Sequence, residues 1–265
     1  MQFALIAAGR VNGSFIARLP RLDARLGPGV AQSYRLASRI VNTLGAGHPA
    51  KDYGPLARSR VVLICVLPVH VPALSEQLAA SSFDWSGKLV LLCDSERNSS
   101  ALAPLAAAGA SVASLNPIPG LDGKWFVAEG DKRGVRQARR FVEELQAAAI
   151  EVDQEALASY EAGLSFASSL FTPVLEACRI CLRDAGLTLR AANRLAEALF
   201  QQTLRAYVHA GRKSWSGPLA RGDDAELATL AEALRRSNPV IAEYYCHSAR
   251  SALRLLRRDP SSALE

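Results

Sequence analysis

The residues best suited to chemistry stand at the start of the chain. The apolar run Gln2–Ala7 breaks into a turn, Ala8-Gly9-Arg10-Val11-Asn12-Gly13, and then into a helix-like stretch, Ser14–Leu19. A strand, a glycine turn and a helix in that order aim backbone N–H groups and a helix N-terminus at a diphosphate. The full G-x-G-x-x-G pattern uses its glycines for the tight turn, the close approach of the diphosphate and the packing of helix on strand. Its three places read Ala7, Gly9 and Asn12 here, and Gly13 comes one residue late. Two readings stay open. Ala8, Gly9, Arg10, Val11 and Asn12 still hold a dinucleotide, or the turn is a relic in which the Asn12 side chain blocks the phosphate.

A second group follows the second strand-like segment. No Asp or Glu is available there to take a ribose 2′-hydroxyl; Ser33, Arg35, Ser38 and Arg39 stand in that region instead. Arginine is what a 2′-phosphate requires, so the expected cofactor is NADP. The plainer alternative is that Arg35 and Arg39, one helical turn apart, are simply exposed. Other candidates are weaker. Cys178 and Cys181 form a C-x-x-C inside a helical segment with no second pair, and His48, His70, His209 and His247 have no ligand spacing, so no metal is expected. Asp223 reads as a helix cap, and Arg221 as either an anion contact or a partner for a carboxylate between helices.

The elements that must position these residues alternate in the first half. Strands are expected at Gln2–Ala7, Gly29–Ser33, Arg60–Val66, Lys88–Cys93, Ala110–Leu115 and Trp125–Glu129, with a short one at Ile150–Val152. Helices are expected at Leu36–Leu44, Val71–Ala80, Ser100–Ala108 and Lys132–Ala148. Strands apolar on both faces between helices imply a parallel sheet covered on both sides. From Asp153 onward every segment reads as helix. Gln154–Ala185 is apolar nearly all round, about 48 Å long at 1.5 Å per residue, and is expected to kink at Pro173. Such a helix needs burial on all sides, which points to a homodimer. Gly186 ends it, Thr188 caps a helix to about Ala210, Asp223-x-x-Glu226 has the shape of a capping box, and Asn238-Pro239 opens the last helix.

The chain has 265 residues, 49% of them apolar and 21% charged, which supports folded domains rather than disorder. Lys and Arg number 31 against 25 Asp and Glu, a net charge of +6. The excess suits an anionic small ligand. Arg250, Arg254, Arg257 and Arg258 repeat at helical spacing, without the interleaved aromatics of a nucleic-acid surface, so neither nucleic acid nor membrane is an expected partner. No apolar run is read as long enough to span a membrane, and no basic leader precedes the first strand. With five cysteines, an odd number, a reducing cytoplasm is expected.

Three stretches carry a resemblance: Ala8-Gly-Arg-Val11, Val127-Ala-Glu-Gly-Asp131 and, most specifically, Trp215-Ser-Gly-Pro-Leu-Ala-Arg-Gly-Asp223. On them the chain resembles a bacterial family of unknown function with a Rossmann-like domain and a helical C-terminal domain. That family is related to pyrroline-5-carboxylate reductase, ketopantoate reductase and the 6-phosphogluconate dehydrogenase group. The resemblance implies a Rossmann-like domain over 1–152 and an all-α dimerisation domain over 153–265. It also implies NADP chemistry on a small C=N or C=O substrate in a cleft between the two.

Carried over position by position, it places Val66 and Leu67 beside the cofactor. It places Ser95, Asn116, Glu161, Ser169 and Arg221 in the cleft. The chain departs from the family pattern at several of these. Val66-Leu-Pro-Val69 lacks the acid, Ser95-Glu96 replaces serine-glycine, Asn116-Pro117 replaces His-Pro, Tyr160-Glu161 replaces Tyr-His, and Ser169 replaces an asparagine. An alternative therefore stands beside the oxidoreductase: a catalytically silent ligand-binding or scaffold protein on the same fold.

Overall fold

The computed structural model describes residues 2–8, 16, 19, 22–93, 98–118, 120–121 and 124–256. The chain forms two compact units, Met1–Glu161 and Ala162–Glu265.

Among the described residues the first unit is built on eight strands: β1 (Phe3–Ala7), β2 (Leu26–Val30), β3 (His48–Pro49), β4 (Val61–Cys65), β5 (Leu89–Leu92), β6 (Ser111–Pro117), β7 (Trp125–Gly130) and β8 (Ala148–Glu151). Their order in the sheet is β3-β2-β1-β4-β5-β6-β7-β8. Side chains alternate across β1. Phe3, Leu5 and Ala7 join Ile40 of helix α1 (Tyr34–Leu44) and Phe141 of α4 (Lys132–Glu144) on one face. Ala4 and Ile6 join Leu78 of α2 (Val71–Ala79) and Leu105 of α3 (Ala103–Ala107) on the other. Both faces are thus covered, as strands apolar on both sides require.

The sheet differs from the sequence expectation in three respects. The second strand ends at Val30, and Ser33 instead caps α1 by accepting from the Leu36 N–H at 3.3 Å. Gly29 is needed inside that strand, since a Cβ there would meet Val41 Cγ1 at 2.8 Å. The two-residue edge strand β3 was not foreseen. The sheet is also not wholly parallel, because β6 and β7 pair antiparallel. Only residues 118–124 join them, too few for a crossover.

The stretch Val127–Asp131 proves to be a fastening. Glu129, 1% exposed, accepts from the Ser99 N–H (2.9 Å), the Ser99 hydroxyl (2.9 Å) and the Ser114 hydroxyl (3.1 Å). Asp131 caps α4 by accepting from the Arg133 and Gly134 N–H groups at 2.9 and 2.7 Å, and from the Val112 N–H at 3.1 Å. α4 itself stops at Glu144, short of the expected Ala148, and the chain then enters β8.

The second unit is helical: most of α5 (Leu157–Ala167), then α6 (Phe171–Asp184), α7 (Leu189–Ala210), α8 (Pro218–Arg221), α9 (Asp224–Ser237) and α10 (Pro239–Leu256). The expected single helix over Gln154–Ala185 is two helices. The break falls at 168–170 rather than at Pro173. There the Ser168 and Ser169 hydroxyls donate back to the Leu164 and Ser165 carbonyls at 2.7 and 3.3 Å, and the Leu170 N–H reaches Ser165 O. Back-bonding hydroxyls bend helices. Pro173 lies in the first turn of α6, where no intrahelical bond is lost.

The caps read from sequence hold. Thr188 accepts from Ala191 N–H, Asp223 from Glu226 N–H and Asn238 from Ile241 N–H. By length and composition, Gln154–Asp184 passes as a membrane-spanning candidate, with a mean hydropathy of 1.2 in its richest window. This corrects the expectation that no run reaches that length.

Candidate functional site

The strand order reverses direction between β1 and β4: the chain runs outward from β1 to β3 and returns to pair β4 with β1. In an open parallel sheet, ligands bind outside the carboxyl ends of the strands at such a point. Ala8 leaves β1 there and Val66–Leu67 leave β4. Of the expected cofactor turn only Ala8 can be placed; Gly9, Arg10, Val11 and Asn12 lie outside the described residues, as does Ser95. The Ala8 N–H donates to Cys65 O at 3.1 Å, so this amide extends the sheet and is not free for a phosphate. Val66 is buried in the core. Leu67 and Val69, by contrast, are 59% and 69% exposed, an apolar surface beside the switch point.

One strand further out, Ser33, Tyr34 and Arg35 follow β2, and Arg39 follows one turn along α1. Arg35 and Arg39 are exposed, no ion pair holds either one among the described residues, and the first turn of α1 contains no acid. The structure therefore brings Ala8, Leu67 and Arg35 to the same edge of the sheet. Lys51, which sequence reasoning missed, arrives at this edge from β3, and its ammonium lies 5.9 Å from the centre of the Tyr34 ring.

The cleft candidates divide between the units. Asn116 sits in β6, half-buried and paired in register with Val127. Glu161 is exposed on α5, next to Tyr160. The Tyr160 hydroxyl is buried with no hydrogen-bond partner, and burial, then the nearby Glu161 charge, push its pKa up. Ser169 lies in the break between α5 and α6, its oxygen 2.9 Å from the Ser165 hydroxyl. Arg221 pairs with Glu226 at 3.0 Å. That is the carboxylate-partner alternative drawn from the sequence, made between α8 and the first turn of α9.

In the sequence Glu129 stands only as part of the Val127–Asp131 motif. Its isolation within an apolar strand was the available signal, since a carboxylate buried there must be given donors.

A cavity of about 470 Å³ runs along α4, lined by Lys132, Arg136, Arg139, Arg140, Glu143 and Glu151. Glu151 ends β8, which runs opposite to β1 and β4. β5, β6 and β7 separate β8 from the switch point between β1 and β4, so the cavity is not the nucleotide edge. Among the described residues no three His, Cys, Asp or Glu side chains gather to hold a metal.

The sheet order, the switch point and the helical second unit define a protein of the Rossmann-plus-helical class. The family expected from the motifs is borne out: residues 124–252 match the domain of unknown function DUF2520. No curated protein matches in sequence. Among solved structures, the chain is similar to protein TM1727 from Thermotoga maritima, at 17% identity over 97% of this chain and 100% of that one, with a TM-score of 0.62. It is similar to a pyrroline-5-carboxylate reductase from Coxiella burnetii, at 16% identity over 94% and 97%, with a TM-score of 0.56. It is also similar to an imine reductase from Myxococcus stipitatus in complex with NADP+, at 15% identity over 100% and 98%, with a TM-score of 0.59. At such identities the likeness establishes the fold.

Proposed function

We propose that this protein is an NADP-dependent oxidoreductase acting on a small C=N or C=O substrate. The observation that carries this is the edge at the switch point: Arg35 and Arg39 after β2, exposed and without an ion pair among the described residues, no acid in the first turn of α1, and exposed Leu67 after β4. These residues fit the cofactor. Arg35 and Arg39 supply the cations a 2′-phosphate needs, and Leu67 and Val69 offer apolar surface that a bound dinucleotide would cover. When bound, NADPH supplies the hydride; the chain binds and orients it. The solved relatives named for imine and pyrroline-5-carboxylate reduction motivate the C=N substrate class.

The second unit supports a homodimer. Phe166, Leu204 and Val208 are 68%, 63% and 77% exposed in the single chain, apolar side chains that a second copy would cover. A cytoplasmic protein with neither nucleic acid nor membrane as partner is part of the same reading. Light scattering of the purified chain tests the dimer. NADPH oxidation against a panel of cyclic imines and 2-oxo acids tests the chemistry, and turnover with none of them weighs against it.

The alternative, a ligand-binding or scaffold protein without turnover, draws on the local engagement of two cleft candidates, Ser169 with Ser165 and Arg221 with Glu226. Dinucleotide binding without turnover favours it.

A further inference from the structure

We infer that Lys51 and Tyr34 form a second half of the nucleotide edge, with Lys51 contacting a ribose 2′-phosphate and Tyr34 an adenine ring. The inference rests on the NADP reading and deepens it. β2 and β3 are parallel neighbours, Pro28 beside His48 and Gly29 beside Pro49. Residues that follow them therefore leave the same edge of the sheet. Ser33, Tyr34 and Arg35 come from β2 and Lys51 from β3. The two segments meet where the Lys51 ammonium stands over the Tyr34 ring at 5.9 Å, within the range of a cation–π contact.

Among the described residues neither partner is otherwise engaged. Among the described residues no carboxylate pairs with Lys51. Its neighbour Asp52 turns its Oδ1 to the Gly54 N–H at 2.8 Å. Tyr34 is 48% exposed although it opens a helix whose other face is core. A tyrosine left this open beside cations is an available stacking platform for a base, worth several-fold in affinity. A lysine held at that ring adds a point charge to the two arginines. Lys51 beside the exposed Arg35 and Arg39, with no acid in the first turn of α1, matches a dianionic phosphate better than a ribose hydroxyl.

Calorimetric titration of the full chain with adenosine 2′,5′-bisphosphate, NADPH and NADH tests this on wild type, Lys51→Ala, Tyr34→Ala and Arg35→Ala. The expected result for Lys51→Ala is about tenfold weaker binding of the bisphosphate and of NADPH, with NADH little changed. Tyr34→Ala should weaken all three. If Arg35→Ala loses affinity and Lys51→Ala does not, the inference is overturned while the NADP reading stands. If wild type binds none of the three, both fall. Lys51→Arg, which keeps the charge, should retain most of the affinity; loss there equal to alanine overturns a charge role.

Discussion

Replacing Glu129 offers the sharpest test of the first unit. Its carboxylate accepts from one backbone N–H and two hydroxyls while 1% exposed. Alanine leaves all three donors without their acceptor. The hydroxyls can turn elsewhere, but the Ser99 N–H cannot, and an unsatisfied buried donor costs about 1–3 kcal/mol. Adding the lost charge-assisted bonds to Ser114 and Ser99, the expected destabilisation is about 3–4 kcal/mol. Glutamine should cost less. Its carbonyl can stand where Oε2 stands and keep Ser99 N–H and Ser114. Its amide then donates to the Ser99 hydroxyl, which reverses its role, so the loss is about 1–2 kcal/mol as charged bonds become neutral ones. Equilibrium urea unfolding, followed by the fluorescence of the buried Trp85, reads this as a fall in midpoint at constant slope. Equal effects of the two variants, or a loss under about 1 kcal/mol for alanine, would refute the reasoning.

Gly134→Ala should destabilise by about 2 kcal/mol or more, because the new Cβ would lie 2.1 Å from Val112 O and α4 must lift from β6; urea unfolding measures it. Tyr53, Tyr160 and Tyr245 all have pKa values raised above the ordinary 10.0, burial being the main cause. Their neutral forms are favoured in the fold, so this stability is full below pH 10 and is lost as pH rises past it. Alkaline unfolding should therefore accompany tyrosinate absorbance instead of following it, and three tyrosines titrating freely in a still-folded protein would contradict this. Arg35→Ala should weaken NADPH about tenfold while leaving NADH nearly unchanged, by fluorescence titration.

How far the sequence revealed this architecture depended on range. Thr188, Asp223 and Asn238 announce their helices because a cap needs only the next three residues. The apolar strands β1, β4 and β5 were equally plain. The antiparallel turn between β6 and β7 was legible only in its length, since both strands are buried over most of their residues, as their parallel neighbours are. The α5–α6 break depends on serine hydroxyls choosing the backbone, a choice that composition does not display. At the nucleotide edge, Arg35 could be found because it closely follows a strand. Lys51 could not, because its place depends on a two-residue strand too short to show periodicity. Glu129 looked like motif rather than anchor because its donors lie 15 and 30 positions away.

The most direct test of the central claim is calorimetric titration of the purified, folded protein with NADPH and, in parallel, NADH. NADPH should bind at least about tenfold more tightly than NADH. Equal affinity for the two, or no heat with either, would contradict it.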